Sequence, residues 1–175
     1  MSKQTAQEDP RLQRMPYNTG EPVNMTDAQA ALDDPQRHLV YAAEEAAQMD
    51  AVDFGLLDDC LLTPEQVPQF ALDALKKANM FYEGDAAPNF RFDIPDDSWV
   101  SGVHEGATGD IRLHPCILNP WTILHELAHW KVGPYIHHGP IFCAVNVRLV
   151  RAGIGDDAAD MLLGYYHDYG VVVEG

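Results

Sequence analysis

The stretch His125-Glu126-Leu127-Ala128-His129 combines the residue types and the spacing of a zinc-binding helix. Two histidines four residues apart lie on one face of a helix, so both imidazoles can bind one metal ion. Glu126 follows the first histidine and is placed to reach a water molecule rather than the metal. Zinc lowers the pKa of such a water to about 7, and a nearby carboxylate can then remove its proton. The pattern therefore predicts a hydrolytic zinc site.

A catalytic zinc ion usually has three protein ligands and one open position, so a third ligand is required. His137 and His138 follow the motif after a helix-breaking turn at residues 132–135. We favour His138, because Gly139 and Pro140 begin the next helix directly after it and fix its direction. His137 stays open as the alternative ligand, or as a neighbouring group that assists the transition state.

The bare HExxH pattern is short enough to occur by chance in helices whose histidines bind no metal. Here, however, four of the eight histidines lie between positions 125 and 138, which favours metal binding. A structural zinc site is normally closed by four ligands and rich in cysteine. The three cysteines (Cys60, Cys116 and Cys143) are far apart and form no CxxC pair. We therefore expect one catalytic zinc ion per chain.

The surrounding sequence predicts an α+β fold. Asn119 and Pro120 are typical of the start of the motif helix. Alternating apolar residues predict three short strands, which tight turns would join into a small antiparallel sheet beside this helix. If the third strand is the sheet edge above the metal, it could bind an extended peptide. The predicted strands are 90–94, 99–104 and 110–114, and the other predicted helices are 34–49, 63–78, 140–152 and 156–169.

Several further polar residues are candidates for smaller roles. Glu44 and Glu45 are predicted to face solvent, with a place for Glu44 near the metal as the alternative. His104 and His114 are interpreted as ordinary strand residues. The sequence does not choose among the candidates for stabilising a developing oxyanion, which are Tyr135, Tyr165, Tyr166 and His167.

The segments HELAHW, HHGPIF and AVNVRLVRAGIG resemble the zincin core of the SprT-like metallopeptidases. They are more similar to a family of small metallohydrolases from actinobacteria and their phages, related to minimal gluzincins, which also has a helix resembling residues 34–44. The resemblance covers roughly residues 34 to 173, with gaps. It implies a minimal zincin-like domain in which His125, His129 and His138 bind zinc and Glu126 is the general base.

The activity of that family is itself inferred from the motif, so the resemblance bears more on the site than on the substrate. A metzincin would have glycine at position 132 and histidine at position 135, where this chain has Val132 and Tyr135. We expect a metallopeptidase acting on a peptide or protein. The alternatives are an inactive, metal-stabilised binding module and a zinc amidase with a non-peptide substrate. The presence of Glu126 argues against the inactive module.

Length and charge limit the remaining possibilities. Residues 1–33 are polar and rich in proline and are interpreted as a disordered N-terminal arm, followed by one domain over residues 34–175. A net charge of −16 makes nucleic acid an unexpected partner. No signal peptide or long apolar run is recognisable, so we expect no membrane partner and a cytoplasmic protein, in the host cytoplasm if it is phage-encoded.

Overall fold

Five helices and three strands occur in the part of the chain that the computed structural model describes, residues 34–57, 61–98, 100–133 and 136–174. This confirms the predicted α+β class. The predicted N-terminal arm lies outside the described residues. In chain order the elements are α1 (Arg37–Asp53), α2 (Val67–Lys77), β1 (Asn89–Arg91), β2 (Gly102–Glu105), β3 (Asp110–Leu113), α3 (Pro120–Val132), α4 (Pro140–Gly153) and α5 (Asp156–Asp168).

Helix α3 begins and ends at the residues that the sequence indicates. The Asn119 side chain accepts a hydrogen bond from the backbone N–H of Trp121 at 2.7 Å, and Pro120 occupies the first helical position. Gly133 ends the helix in the left-handed region, with φ of 86°, which favours glycine. Leu124 and Leu127 are fully buried. The motif therefore lies on a helix that is capped at both ends and anchored in the core.

The sheet is mixed, and the prediction of a purely antiparallel sheet was wrong. Its strand order is β1-β3-β2, with β2 antiparallel and β1 parallel to β3. A tight turn, in which the Gly109 N–H donates to the Glu105 carbonyl, enforces the antiparallel pair only. The ten residues 92–101 between β1 and β2 leave β1 free to pair across β3. The third strand is consequently central and not the edge.

The helices pack so that α3 contacts the sheet on one side and α4 on another, while α1 packs against α5. The buried face of α1 contains Ala43, Ala47 and Ala51. Such small side chains allow α1 to approach the core closely. Polar side chains of the same helix, described in the next subsection, are thereby brought next to α3. No helix in the described ranges is long and apolar enough to cross a membrane.

Candidate metal centre

Three histidines converge at the point where α3, α4 and α1 meet. His125 and His129 are one turn apart on α3, and His138 lies just before α4. The Nε2 atom of His138 is 3.3 Å from that of His125 and 3.2 Å from that of His129. A tetrahedral zinc ion with Zn–N distances near 2.0–2.1 Å would separate its nitrogen ligands by about 3.3–3.4 Å. This group could hold a metal ion.

Two of these rings are fixed by buried carboxylates at their other nitrogen. His125 Nδ1 lies 2.8 Å from Glu44 Oε2, and His138 Nδ1 lies 2.5 Å from Asp34 Oδ2. A carboxylate accepts the Nδ1 proton, so the hydrogen-bond partners assign each neutral ring a bare Nε2 lone pair. Two such lone pairs 3.3 Å apart repel each other unless a cation or a proton lies between them. The arrangement therefore fits a bound cation.

Glu44 is a buried member of the site, so the prediction that it faces solvent was wrong. Its Oε1 accepts hydrogen bonds from Asn146 Nδ2 at 2.7 Å and from the Tyr166 hydroxyl at 2.8 Å. The adjacent Glu45 is exposed, as predicted. Burying a carboxylate is costly without partners, and here both oxygens have one or more. Glu44 thus connects α1, α4 and α5 to His125 on α3.

Aromatic rings enclose the three histidines on two sides. The ring of Phe142, fully buried on α4, has its centroid 4.3–5.0 Å from the centroids of all three imidazoles. Tyr41 on α1 stacks on His125 at 5.5 Å and meets His138 edge-on at 4.9 Å. These contacts restrict rotation of the imidazoles and preserve their convergence.

Glu126 lies in a narrow space between α3 and β2. A Cβ atom added to Gly102 would be 2.9 Å from Glu126 Cγ, so glycine is what allows the strand to approach this side chain. Burial raises the pKa of the Glu126 carboxyl, while the charge of His125 and the backbone N–H of His104 oppose that rise. A raised pKa suits a group that must accept a proton and release it again.

The ring pKa values differ because the three environments differ. Burial lowers the pKa of His129, with repulsion from His125 and His138 adding to this effect. Burial also lowers the pKa of His138, in spite of Asp34. At His125, burial is outweighed by the charge and hydrogen bond of Glu44, so that its pKa is raised. His129 and His138 are thus neutral near pH 7, the form that binds metal.

The remaining predicted residues lie elsewhere or have other partners. His137 is exposed and does not join the three converging rings. Tyr166 is bonded to Glu44, the Tyr165 hydroxyl donates to Asp50, and His167 is exposed beside Asp168. None of these contacts points to an oxyanion-stabilising role. Tyr135 lies outside the described residues.

A second group of possible ligands, formed by Asp96, His114 and Cys116, has its ligand atoms within 4.8 Å of one another. His114 Nδ1 accepts the backbone N–H of Cys116 at 3.1 Å. The proton of the neutral ring is therefore on Nε2, which faces Asp96 at 3.8 Å and has no lone pair for a metal. His114 directly follows β3, which ends at Leu113, so the prediction that it is a strand residue was wrong by one position.

Sequence reasoning missed most of the residues that support the histidines. Asp34, Tyr41 and Asn146 carry no motif of their own. A signal existed only for the first two, which lie in or next to the helix that shares the family resemblance.

No protein family, curated protein or solved structure matches this chain.

Proposed function

We propose that the protein is a zinc-dependent hydrolase, with one zinc ion per chain and a peptide bond as its substrate. The observation that supports this most is the convergence of three Nε2 atoms, two of them on rings whose Nδ1 is held by a carboxylate. Imidazole ligands suit zinc, whereas magnesium and calcium prefer oxygen. Three protein ligands leave a fourth position for water or substrate, as in catalytic zinc sites.

The mechanism assigns the proton transfers to Glu126. When bound, zinc supplies a Lewis acid that polarises the carbonyl and makes water a nucleophile near neutral pH. Glu126 removes a proton from the water as its oxygen forms a bond to the carbonyl carbon. The same carboxyl then gives this proton to the leaving nitrogen as the C–N bond breaks. His125, His129 and His138 would hold the metal.

The outer edge of β2 is the best place for a peptide, in place of the predicted third strand. The His114 N–H donates to the Ser101 carbonyl across the β2–β3 ladder. Since an antiparallel strand directs alternate residues to opposite sides, Gly102 and His104 direct their backbone groups away from β3. The effect of the His104 N–H on Glu126 supports this direction. A peptide added there would lie beside the general base.

The test compares metal content and hydrolysis in three proteins. Wild type, Glu126→Gln and the exposed control Glu45→Gln are loaded with zinc, measured by elemental mass spectrometry, and assayed on a fluorogenic peptide library. All three should contain about one zinc per chain. Only Glu126→Gln should lose hydrolysis, by roughly 10²–10⁴-fold, the usual contribution of general acid–base catalysis.

Three results would contradict parts of the proposal. Equal rates for Glu126→Gln and wild type would exclude Glu126 as the base. Cleavage of small amides but of no peptide would indicate the amidase. A folded wild-type protein that binds no zinc when it is offered would remove the basis for hydrolysis and leave the binding module.

A further inference from the structure

Arg37 and Tyr41 form a pair beside the candidate metal centre. They lie one turn apart on α1, and the guanidinium carbon of Arg37 lies over the Tyr41 ring, 5.6 Å from its centroid. The same ring also contacts the imidazoles of His125 and His138. Tyr41 is 37% exposed and Arg37 is exposed, so both are accessible from solvent. A positive charge therefore stands one aromatic ring away from the candidate ligands.

The position of Arg37 on the helix is unfavourable for a cation. It is the first residue of α1, where the helix dipole places partial positive charge and disfavours basic side chains. Among the residues that the structure describes, the ion pairs formed by arginine involve Arg91, Arg112 and Arg151, and not Arg37. Neither helix stability nor an ion pair within the described residues therefore explains why an arginine occupies the first position of α1.

The guanidinium of Arg37 is a positive charge in surroundings that are mostly negative. Asp34, Glu44 and Glu126 are buried around the histidines, and the chain as a whole has a charge of −16. An anionic group would be repelled from most of this surface and attracted only locally.

We propose that Arg37, supported by the ring of Tyr41, binds a carboxylate of the substrate within two residues of the bond that is cleaved. Arginine is suited to this because its planar guanidinium can donate two parallel hydrogen bonds to a carboxylate. The guanidinium carbon of Arg37 and the two imidazole centroids all lie within 5.6 Å of the Tyr41 centroid, so Arg37 is at most about 11 Å from either imidazole. Two extended residues, at about 3.3–3.6 Å each, together with an ion-pair distance of about 4 Å cover that span. The substrate class is a peptide with a free C-terminal carboxylate or an acidic side chain at this distance.

This inference rests on the proposed zinc site, and its test uses binding rather than turnover. The two probes are mercaptoacetyl-leucine, whose thiolate binds zinc, and the same compound with a carboxamide in place of the carboxylate. Their affinities are measured by titration calorimetry on zinc-loaded wild type, Arg37→Gln and Arg151→Gln. Arg151 is an exposed arginine near the far end of α4, so its loss changes the net charge equally.

Wild type and Arg151→Gln should prefer the carboxylate probe by about tenfold or more, as expected for a charge-assisted hydrogen bond. Arg37→Gln should lose that preference with unchanged affinity for the carboxamide, which also shows that the variant is folded. A preference that persists in Arg37→Gln, or is absent from wild type, would overturn the role of Arg37 and leave the zinc site intact. Failure of both probes to bind wild type would overturn the zinc site itself.

Discussion

Glu44 and His125 are 81 residues apart in the chain, and their side chains meet at 2.8 Å between Oε2 and Nδ1. The contact joins α1 to the motif helix α3. Because Glu44 also accepts hydrogen bonds from Asn146 and Tyr166, its position is fixed by two further helices. The orientation of the His125 ring therefore depends on the tertiary structure as well as on its place in the motif.

His138, like His125, has a buried carboxylate at its ring Nδ1. Asp34 accepts from both the backbone N–H and the ring Nδ1 of this residue, at 3.3 and 2.5 Å. Gln36 adds a hydrogen bond to the His138 carbonyl and accepts one from the N–H of Val172. The segment before α1 thus holds the turn that carries the third histidine, which gives this part of the chain a role in the site.

Glu44→Gln should weaken zinc binding by about 10–100-fold, the usual effect of losing a carboxylate that orients a histidine ligand. The amide would present an NH₂ group either to the His125 ring or to the donors Asn146 and Tyr166. It would also remove a negative charge that favours a bound cation. The measurement is competition for zinc with a chelator of known affinity.

Glu45→Gln is the matched control for that experiment, because it removes the same charge from an exposed neighbour on α1. Its zinc affinity should equal that of wild type. Equal affinities in all three proteins would mean that Glu44 serves packing alone.

Removal of the metal should destabilise the fold, because an ion that binds the folded chain and not the unfolded one stabilises the folded state. Free zinc at 100 times its dissociation constant adds about 2.7 kcal/mol to the free energy of unfolding. For a chain of this size that corresponds to a rise of roughly 5–10 °C in melting temperature. Calorimetric melting with zinc and with a chelator measures it. His129→Ala should abolish the difference, and identical melting curves for wild type would contradict the cation site.

The sequence was sufficient for the fold class and for the motif helix, because these depend on short-range signals. Asn119, Pro120 and Gly133 determine where α3 begins and ends, and the spacing of His125 and His129 follows from helical geometry. The structure also places His138 beside them. Its identity as the third ligand stays a prediction.

Residues whose roles depend on long-range packing were not predictable in the same way. Glu44 has the sequence environment of an exposed helix position, and only the approach of α4 and α5 turns it inward. The parallel pairing of β1 with β3 also depends on tertiary packing, because a ten-residue connection does not determine its own register. Arg37 is a charged residue at a helix start, and nothing in its sequence neighbours indicates that its guanidinium lies over the ring of Tyr41.

Gly102→Ala should lower both stability and hydrolysis. The new methyl group would lie 2.9 Å from Glu126 Cγ and 3.1 Å from side-chain carbons of Leu113 and Thr122. Overpacking of this kind costs about 1–3 kcal/mol, and relief requires displacement of either β2 or the proposed base. Urea unfolding measures the stability, and the peptide assay measures the displacement of Glu126.

Gly164→Ala provides the control for this substitution. A Cβ atom at Gly164 would meet nothing within 4 Å, and the residue lies inside α5, where alanine is favoured by roughly 0.5–1 kcal/mol. It should therefore raise the free energy of unfolding and leave hydrolysis unchanged. If Gly102→Ala behaved like Gly164→Ala, the close approach of β2 to Glu126 would be wrong.

His138→Ala and His137→Ala should differ sharply, although the two residues are adjacent. His138 is 4% exposed and its Nε2 lies within 3.3 Å of both other rings, whereas His137 is exposed and outside this group. Loss of one of three ligands should lower zinc affinity by orders of magnitude, while loss of His137 should change it little. Chelator competition measures both. A larger effect from His137→Ala would reverse the assignment and require the turn before α4 to rearrange when metal binds.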